Sequence, residues 1–185
     1  MEEDSFIKSM DMDKLQGLMD ETKGNVERFN SICDSIVKQY SEALDNLMKD
    51  LYVDCVKNEN PTLEVLERYY LELSNMMYFM NERLEALGVE ADMSERVSED
   101  KYSKGYLRAS EMRDDNGKKK AVEELKAIAN TGARYEGVQA SIYDHAYKVV
   151  KGKMASGNSM MDTLRRIIST RTEAMKMEGY GGQGK

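Results

Sequence analysis

Proline is almost missing from this chain. One proline, Pro61, stands among 185 residues, so long stretches carry no helix breaker. Tryptophan is absent, phenylalanine occurs three times and histidine once. A single histidine, His145, excludes multi-histidine metal sites and leaves any His-based catalysis without partners. The only two cysteines, Cys33 and Cys55, both lie in strongly helical segments. They are expected to be reduced, half-buried thiols of a cytosol-like compartment. No apolar run reaches about 18 residues, so no membrane span is expected. The first ten residues are acidic, without the basic and apolar regions of a signal peptide. A cytoplasmic location is the expectation.

What is present points to helices. Hydrophobic residues make up 41% and charged residues 33%, too apolar for a disordered chain. Residues 1–22 read as a short amphipathic helix or arm, weakened by Gly17 and Gly24. In 25–57, Val26, Phe29, Cys33, Ile36, Tyr40, Ala43, Leu47 and Leu51 recur at steps of three and four, and Ile32, Val37, Leu44, Met48, Tyr52 and Cys55 widen the stripe. That spacing predicts a helix buried against more than one neighbour. Asn60 is placed as the N-cap of the next helix, with Pro61 at its first position. A second helix over 61–87 follows Leu66, Tyr69, Leu73, Met76, Met80, Leu84 and Leu87, with Gly88 as its stop. The two should form an antiparallel hairpin of roughly 40–50 Å. Asp114-Asp115-Asn116-Gly117 is a turn signal. A third helix is expected from Lys118 to about Met154, with Gly132 and Gly137 as sites of close helix approach or of a kink. Ala155-Ser156-Gly157-Asn158 reads as a loop before a last helix over 159–178. No segment alternates as a strand. The expected fold is all-α: a long antiparallel helical hairpin, a further long helix and a short C-terminal helix, extended and oligomeric. Its regions are an acidic 1–88, a basic 89–178 and a disordered tail, 179–185.

Charge is unevenly distributed. The whole chain carries −7 with a pI near 5, which excludes a simple overall-basic nucleic-acid binder. Residues 1–100 hold 24 acids and 10 bases, whereas 101–185 hold 10 acids and 17 bases. The second half therefore carries a net +7 against −14 in the first. Either it meets an anionic partner, or the two halves pair with each other.

Most motifs fail on their surroundings. Gly179-Tyr180-Gly181-Gly182-Gln183-Gly184-Lys185 imitates a phosphate-binding loop, but it lacks the following Ser or Thr and the helix whose N-terminus would face the phosphates. Inward Glu-x-x-His pairs and a Gly-x-Ser-x-Gly elbow are both missing. No enzyme, cofactor or metal is expected. His145 reads as a helix-surface or interface residue, and the methionines Met76, Met80, Met160 and Met161 as core. The basic residues are the functional lead. Lys101, Lys104 and Arg108 stand beside Tyr102 and Tyr106. Cations neutralise phosphates, while aromatic faces stack on unpaired bases. Lys118, Lys119 and Lys120 at the start of the third helix oppose its dipole. Arg165, Arg166 and Arg171 follow on the last helix. The competing interpretation of each is a solvated charged face.

The order of these elements resembles the UvsY-type recombination mediators of large DNA phages over about residues 62–178. The resemblance rests on Tyr69-Tyr70-Leu71-Glu72-Leu73 through Met80-Asn81 and on the basic-aromatic stretch Lys101 to Arg108. It also rests on a long helix around Tyr135 and Tyr143 and on a short final helix giving way to glycine. The chain departs from the family in an extra N-terminal helix of some 35 residues, an acidic 90–100 segment and the spacing of its Lys and Arg. The resemblance implies a non-enzymatic homo-oligomer in a phage-infected host cell that binds single-stranded DNA. It implies help in loading a RecA-type recombinase onto strands covered by single-stranded-DNA-binding protein, and hence both proteins as partners. The alternative is a helical phage structural or assembly protein acting through protein contacts.

Overall fold

The computed structural model describes residues 12–58, 60–113 and 117–181. The described chain is all-α, as the periodicity indicates. Its elements are α1 (Met12–Leu51), a π-helical turn (Tyr52–Lys57), α2 (Leu63–Glu111), α3 (Val122–Gly132) and α4 (Arg134–Gly181). Among the described residues the only β feature is one antiparallel bridge between Arg113 and Lys119.

The helices are longer and fewer than the glycines suggest. Gly17 and Gly24 lie inside α1, which is one 40-residue helix. Part of the expected N-terminal helix, residues 1–11, lies outside the described residues, as do 114–116 of the expected turn. The expected stop at Gly88 is not a stop. α2 runs 49 residues through Gly88 and Gly105, about 70 Å at 1.5 Å per residue. The expected loop at 155–158 is also helix, and α4 continues to Gly181, inside the expected tail. Residues 182–185 lie outside the described residues.

Close packing explains several of these glycines. A Cβ on Gly157 would come within 2.9 Å of Met77 Cε, and one on Gly105 within 3.2 Å of Ala129 Cα. One on Gly88 would meet the Tyr147 ring at 3.2 Å. Gly137 stands 3.6 Å from Ser98 Oγ by the same measure, whereas nothing approaches Gly132. The 3.6 Å at Gly137 is an ordinary contact distance, so close approach does not require glycine there. Gly132 instead ends α3, at a break where Ala133 takes φ −103° and ψ 6°. Backbone bonds Ala133 N to Ala129 O and Gly137 N to Ala133 O carry the ladder across that break.

These contacts fix the architecture. Pairs Pro61–Arg171, Met77–Gly157, Gly88–Tyr147 and Gly105–Ala129 run in opposite senses along the chain. α2 is therefore antiparallel to α3 and α4, and the α2–α4 contact is the most extensive. The start of α1, around Val26 and Phe29, lies against Arg134, Val138 and Ile142, and Asp45 further along it lies near Lys153, so α1 runs parallel to α4. The hairpin of longest reach joins α2 to α3–α4, and α1 lies along it as a third helix. The core holds Val37, Leu44, Leu51, Leu66, Leu73, Met80, Leu87, Val150 and Leu164. Met76, Met160 and Met161 pack partly buried against it, as core methionines should.

Capping sets the junction between α1 and α2. The N-cap is Thr62 instead of Asn60: its hydroxyl accepts from Val65 N at 3.3 Å. Pro61 thus precedes the helix, and its carbonyl accepts from Arg171. The widened π turn brings Asp54 to α2, where Tyr69 donates to its carboxylate at 2.6 Å. Lys153 crosses from α4 to α1, pairing with Asp45 at 2.5 Å and donating to buried Ser41 at 3.0 Å. Ser41 in turn donates to the Val37 carbonyl at 2.9 Å.

The rod shape leaves much surface in water. The accessible area is 14,195 Å², against about 9,000 Å² for a compact monomer of this mass.

Candidate nucleic-acid interface

The far end of the α2–α3 hairpin gathers basic residues from two stretches of sequence. Lys101, Tyr102, Lys104, Tyr106 and Arg108 occupy the last turns of α2. Gly117, at φ +76°, takes the left-handed conformation that lets the chain reverse. The bridge then lays Arg113 against Lys119. Lys118, Lys119 and Lys120 precede α3, which begins at Val122, so they do not occupy its first turn as the sequence suggests. Glu123 and Glu124 stand there instead and suit the dipole. Ala109, Leu125, Ala129 and Ala133 are buried beneath this tip. Small side chains let the two backbones approach closely and fix the spacing of the charges above them.

Several of these cations already have partners. Lys101 reaches Glu136 on α4 at 3.5 Å, Lys104 reaches Asp100 at 2.5 Å, and Lys120 pairs with Glu124. Arg113 donates to the carbonyls of Ser110, Glu111 and Met112 at the end of α2. Arg108 and Lys119 are exposed and form no ion pair with another described residue. Tyr102 and Tyr106 stack on each other with centroids 6.4 Å apart and planes at 28°. Both are half-buried. Tyr102 lines an open groove of about 580 Å³ between α2 and the α3–α4 junction, with Asn130, Arg134 and Gly137 opposite.

The second arginine group lies elsewhere. Arg165 lies beside Glu67 and Tyr70 and pairs with Asp162 at 2.5 Å. Arg166 is exposed on the same helix. Arg171 is half-buried and donates to Pro61. Tyr70 and Lys104 stand on one helix, about 50 Å apart along its axis. The structure therefore does not bring Arg165, Arg166 and Arg171 to the tip, and Arg171 serves as a tie between α4 and the α1–α2 junction.

Two further residues join the group. Sequence alone does not single out Arg113 and Arg134, yet one faces Lys119 and the other lines the Tyr102 groove. A signal for Arg113 does exist: a turn pattern at 114–117 tends to oppose the residues on either side of it.

Other chemistry finds little support among the described residues. No cluster of His, Cys, Asp or Glu is placed to hold a metal. Burial pushes both thiols up, Cys33 further through Asp34, and Cys55 through Asp54 against the lowering pull of Arg68 and Arg171. Neither is poised as a thiolate. His145 is exposed, 6.2 Å from the Phe29 ring. No described helix is long and apolar enough to cross a membrane. No family model, curated protein or solved structure matches the chain.

Proposed function

We propose that this chain is a non-enzymatic, self-associating helical accessory protein that binds single-stranded DNA at the tip of the α2–α3 hairpin. One observation carries the reading: the turn opposes Arg113 to Lys119 and brings Lys118–Lys120 to the end of α2 that holds Arg108 and the tyrosine pair. Like charges directly across a bridge repel, and an anion between them removes the repulsion. Residues 101–126 hold eight basic and five acidic residues, so the tip is positive within an acidic protein. Binding would combine phosphate neutralisation with stacking on aromatic faces. The resemblance to UvsY-type mediators extends this to assisting a RecA-type recombinase on strands covered by single-stranded-DNA-binding protein in phage recombination or replication. A gel shift with a labelled oligonucleotide at low salt tests it, and the absence of any complex would refute it.

A second reading is favoured by the ion pairs of Lys101, Lys104 and Lys120. Charges satisfied within the chain suit a helical structural or assembly protein that works through protein contacts. Light scattering with and without DNA separates the two. An oligomer indifferent to DNA supports the second.

A further inference from the structure

The side of α2 opposite its core face carries a stripe of exposed apolar residues, interrupted by Asn75, Glu82, Arg96, Asp100 and Lys104, and at its start Leu71 borders Arg165 and Ile168 of α4. Leu71, Tyr78, Val89, Met93, Val97 and Leu107 are all between 46% and 74% exposed. At about 100° per residue they fall within an arc of about 100°. Leu73, Met80 and Leu87, which face the core, lie about 180° round the same helix. α2 thus carries, besides its buried apolar face, an exposed stripe in which apolar residues alternate with charged ones. The outer side of α4 shows the contrast. Asp144, Lys148, Ala155, Asp162 and Arg166 are exposed there, an ordinary polar face.

The length and charges of this stripe identify what covers it. Leu71 to Leu107 spans about 54 Å, which over a helix diameter of about 10 Å is a footprint of about 500 Å². Two such footprints reach about 1,000 Å², the lower bound of a specific interface. Covering it requires a helix of about the same length with a matching apolar seam. Charge then selects among candidates. In its first part Glu82 lies within the stripe and Glu72, Glu85 and Glu90 on its edges, with one base, Arg83; in its later part Arg96 and Lys104 lie within it and Lys101 and Arg108 on its edge, with two acids, Asp92 and Asp100. A uniformly basic partner would be repelled at one end and a uniformly acidic one at the other. A second α2 laid antiparallel sets the net acidic part of each stripe against the net basic part of the other, whereas a parallel one sets parts of like net charge together.

We propose that α2 of one copy packs antiparallel on α2 of a second copy along the stripe from Leu71 to Leu107, with Val89 near the two-fold axis. The proposal supplies a surface for the self-association in the reading above, and it stands whether or not the tip binds DNA. The local pair Lys104–Asp100 is exposed and within one helix, so exchanging it for a contact across the axis loses little.

Sedimentation equilibrium or light scattering of the full chain tests it. The expected mass rises with concentration from the protomer's 21.1 kDa to at least twice that value. Val89→Glu with Met93→Glu should abolish the association while circular dichroism keeps its helical signal. Ala155→Glu on the outer side of α4 should leave it intact. For orientation, changing Glu72, Glu82 and Glu85 to Lys should weaken the dimer at least tenfold. Adding Lys101→Glu, Lys104→Glu and Arg108→Glu should restore it. A chain that keeps the protomer mass at every concentration overturns the proposal, as does an association untouched by the Val89 and Met93 changes. Charge changes without effect overturn the antiparallel arrangement. DNA binding by the Val89 and Met93 double variant is scored separately, so failure of the DNA reading leaves this result standing.

Discussion

Gly157 lies directly beneath Met77: a Cβ at position 157 would come within 2.9 Å of the Met77 Cε and 3.0 Å of its Sδ. The same imagined atom would be 3.7 Å from Leu44 Cδ1, so three helices meet at one glycine. The Met77 side-chain end fills the space that a side chain at 157 would take, at the point where α1, α2 and α4 converge.

Four glycines should therefore respond differently to alanine. Gly24 has nothing within 4 Å, so Gly24→Ala should gain up to about 1 kcal/mol from helix propensity alone. At Gly157 the obstacle is the free end of a methionine, which can turn aside, so the substitution should be close to neutral. At Gly88 it is the Tyr147 ring, larger and half-buried, and a loss of some tenths of a kcal/mol is expected. At Gly105 it is the Ala129 backbone, which cannot turn. Overpacking of about 1–3 kcal/mol exceeds the propensity gain, leaving a net loss on the order of 1 kcal/mol. Thermal melts of the four variants check the order.

These glycines also mark the limit of what sequence reveals. Apolar spacing at three and four residues indicates helices because it records which side is buried, and α1 and the first part of α2 follow it. Gly88 and the Ala155–Asn158 stretch read as breaks because one chain shows a glycine's propensity and not its neighbour. Tyr147 is remote from Gly88 along the chain, and Met77 is remote from Gly157. Nothing local separates a helix end from a close crossing. The tip follows the same logic. Lys101 to Arg108 and Lys118 to Lys120 are legible as charge, as is the spacing of four between Lys120 and Glu124, but the partner Glu136 of Lys101 and the opposition of Arg113 to Lys119 are products of folding. Arg171 looks like Arg165 and Arg166 in sequence. Its bond to the Pro61 carbonyl joins residues 110 positions apart in the chain.

Lys153 should matter more than other lysines of α4. Its ammonium joins Asp45 and Ser41 on α1 with about a third of its side chain exposed. Lys148 by contrast pairs with Asp144 within its own helix. Lys153→Ala should cost about 1–2 kcal/mol, and Lys148→Ala less than about 0.5 kcal/mol. A double-mutant cycle of Asp45→Ala with Lys153→Ala, read by denaturant melts, should return a coupling of about 1 kcal/mol. A coupling near zero would show that the contact is incidental.

Tyr69 links stability to alkaline pH. Burial first, and then its hydrogen bond to the Asp54 carboxylate and that group's charge, push its hydroxyl up from 10 to about 12. A group raised in the folded state contributes stability that is complete below its unfolded value and is lost as pH climbs through its folded value. The loss should therefore fall between about pH 10 and pH 12. Tyr69→Phe should lower stability at neutral pH by about 1 kcal/mol and flatten the pH dependence in that window. Melts across alkaline pH, with tyrosinate absorbance as the titration monitor, check both parts.

The two arginine–lysine groups make opposite predictions for DNA. If the hairpin tip is the site, Lys118→Ala, Lys119→Ala and Lys120→Ala together should weaken oligonucleotide binding at least tenfold at low salt. They should also reduce the slope of log affinity against log salt by about 0.7 for each phosphate no longer neutralised on a single strand. Tyr106→Ala should weaken binding with little change in that slope, because base stacking, worth about 1–3 kcal/mol, releases no counterion. Arg165→Ala with Arg166→Ala, about 50 Å away along the rod, should leave affinity and slope unchanged. Anisotropy titrations over a series of salt concentrations separate these outcomes. If the Arg165 and Arg166 pair carries the effect and the lysines do not, the binding surface lies at the opposite end of α2 from the tip.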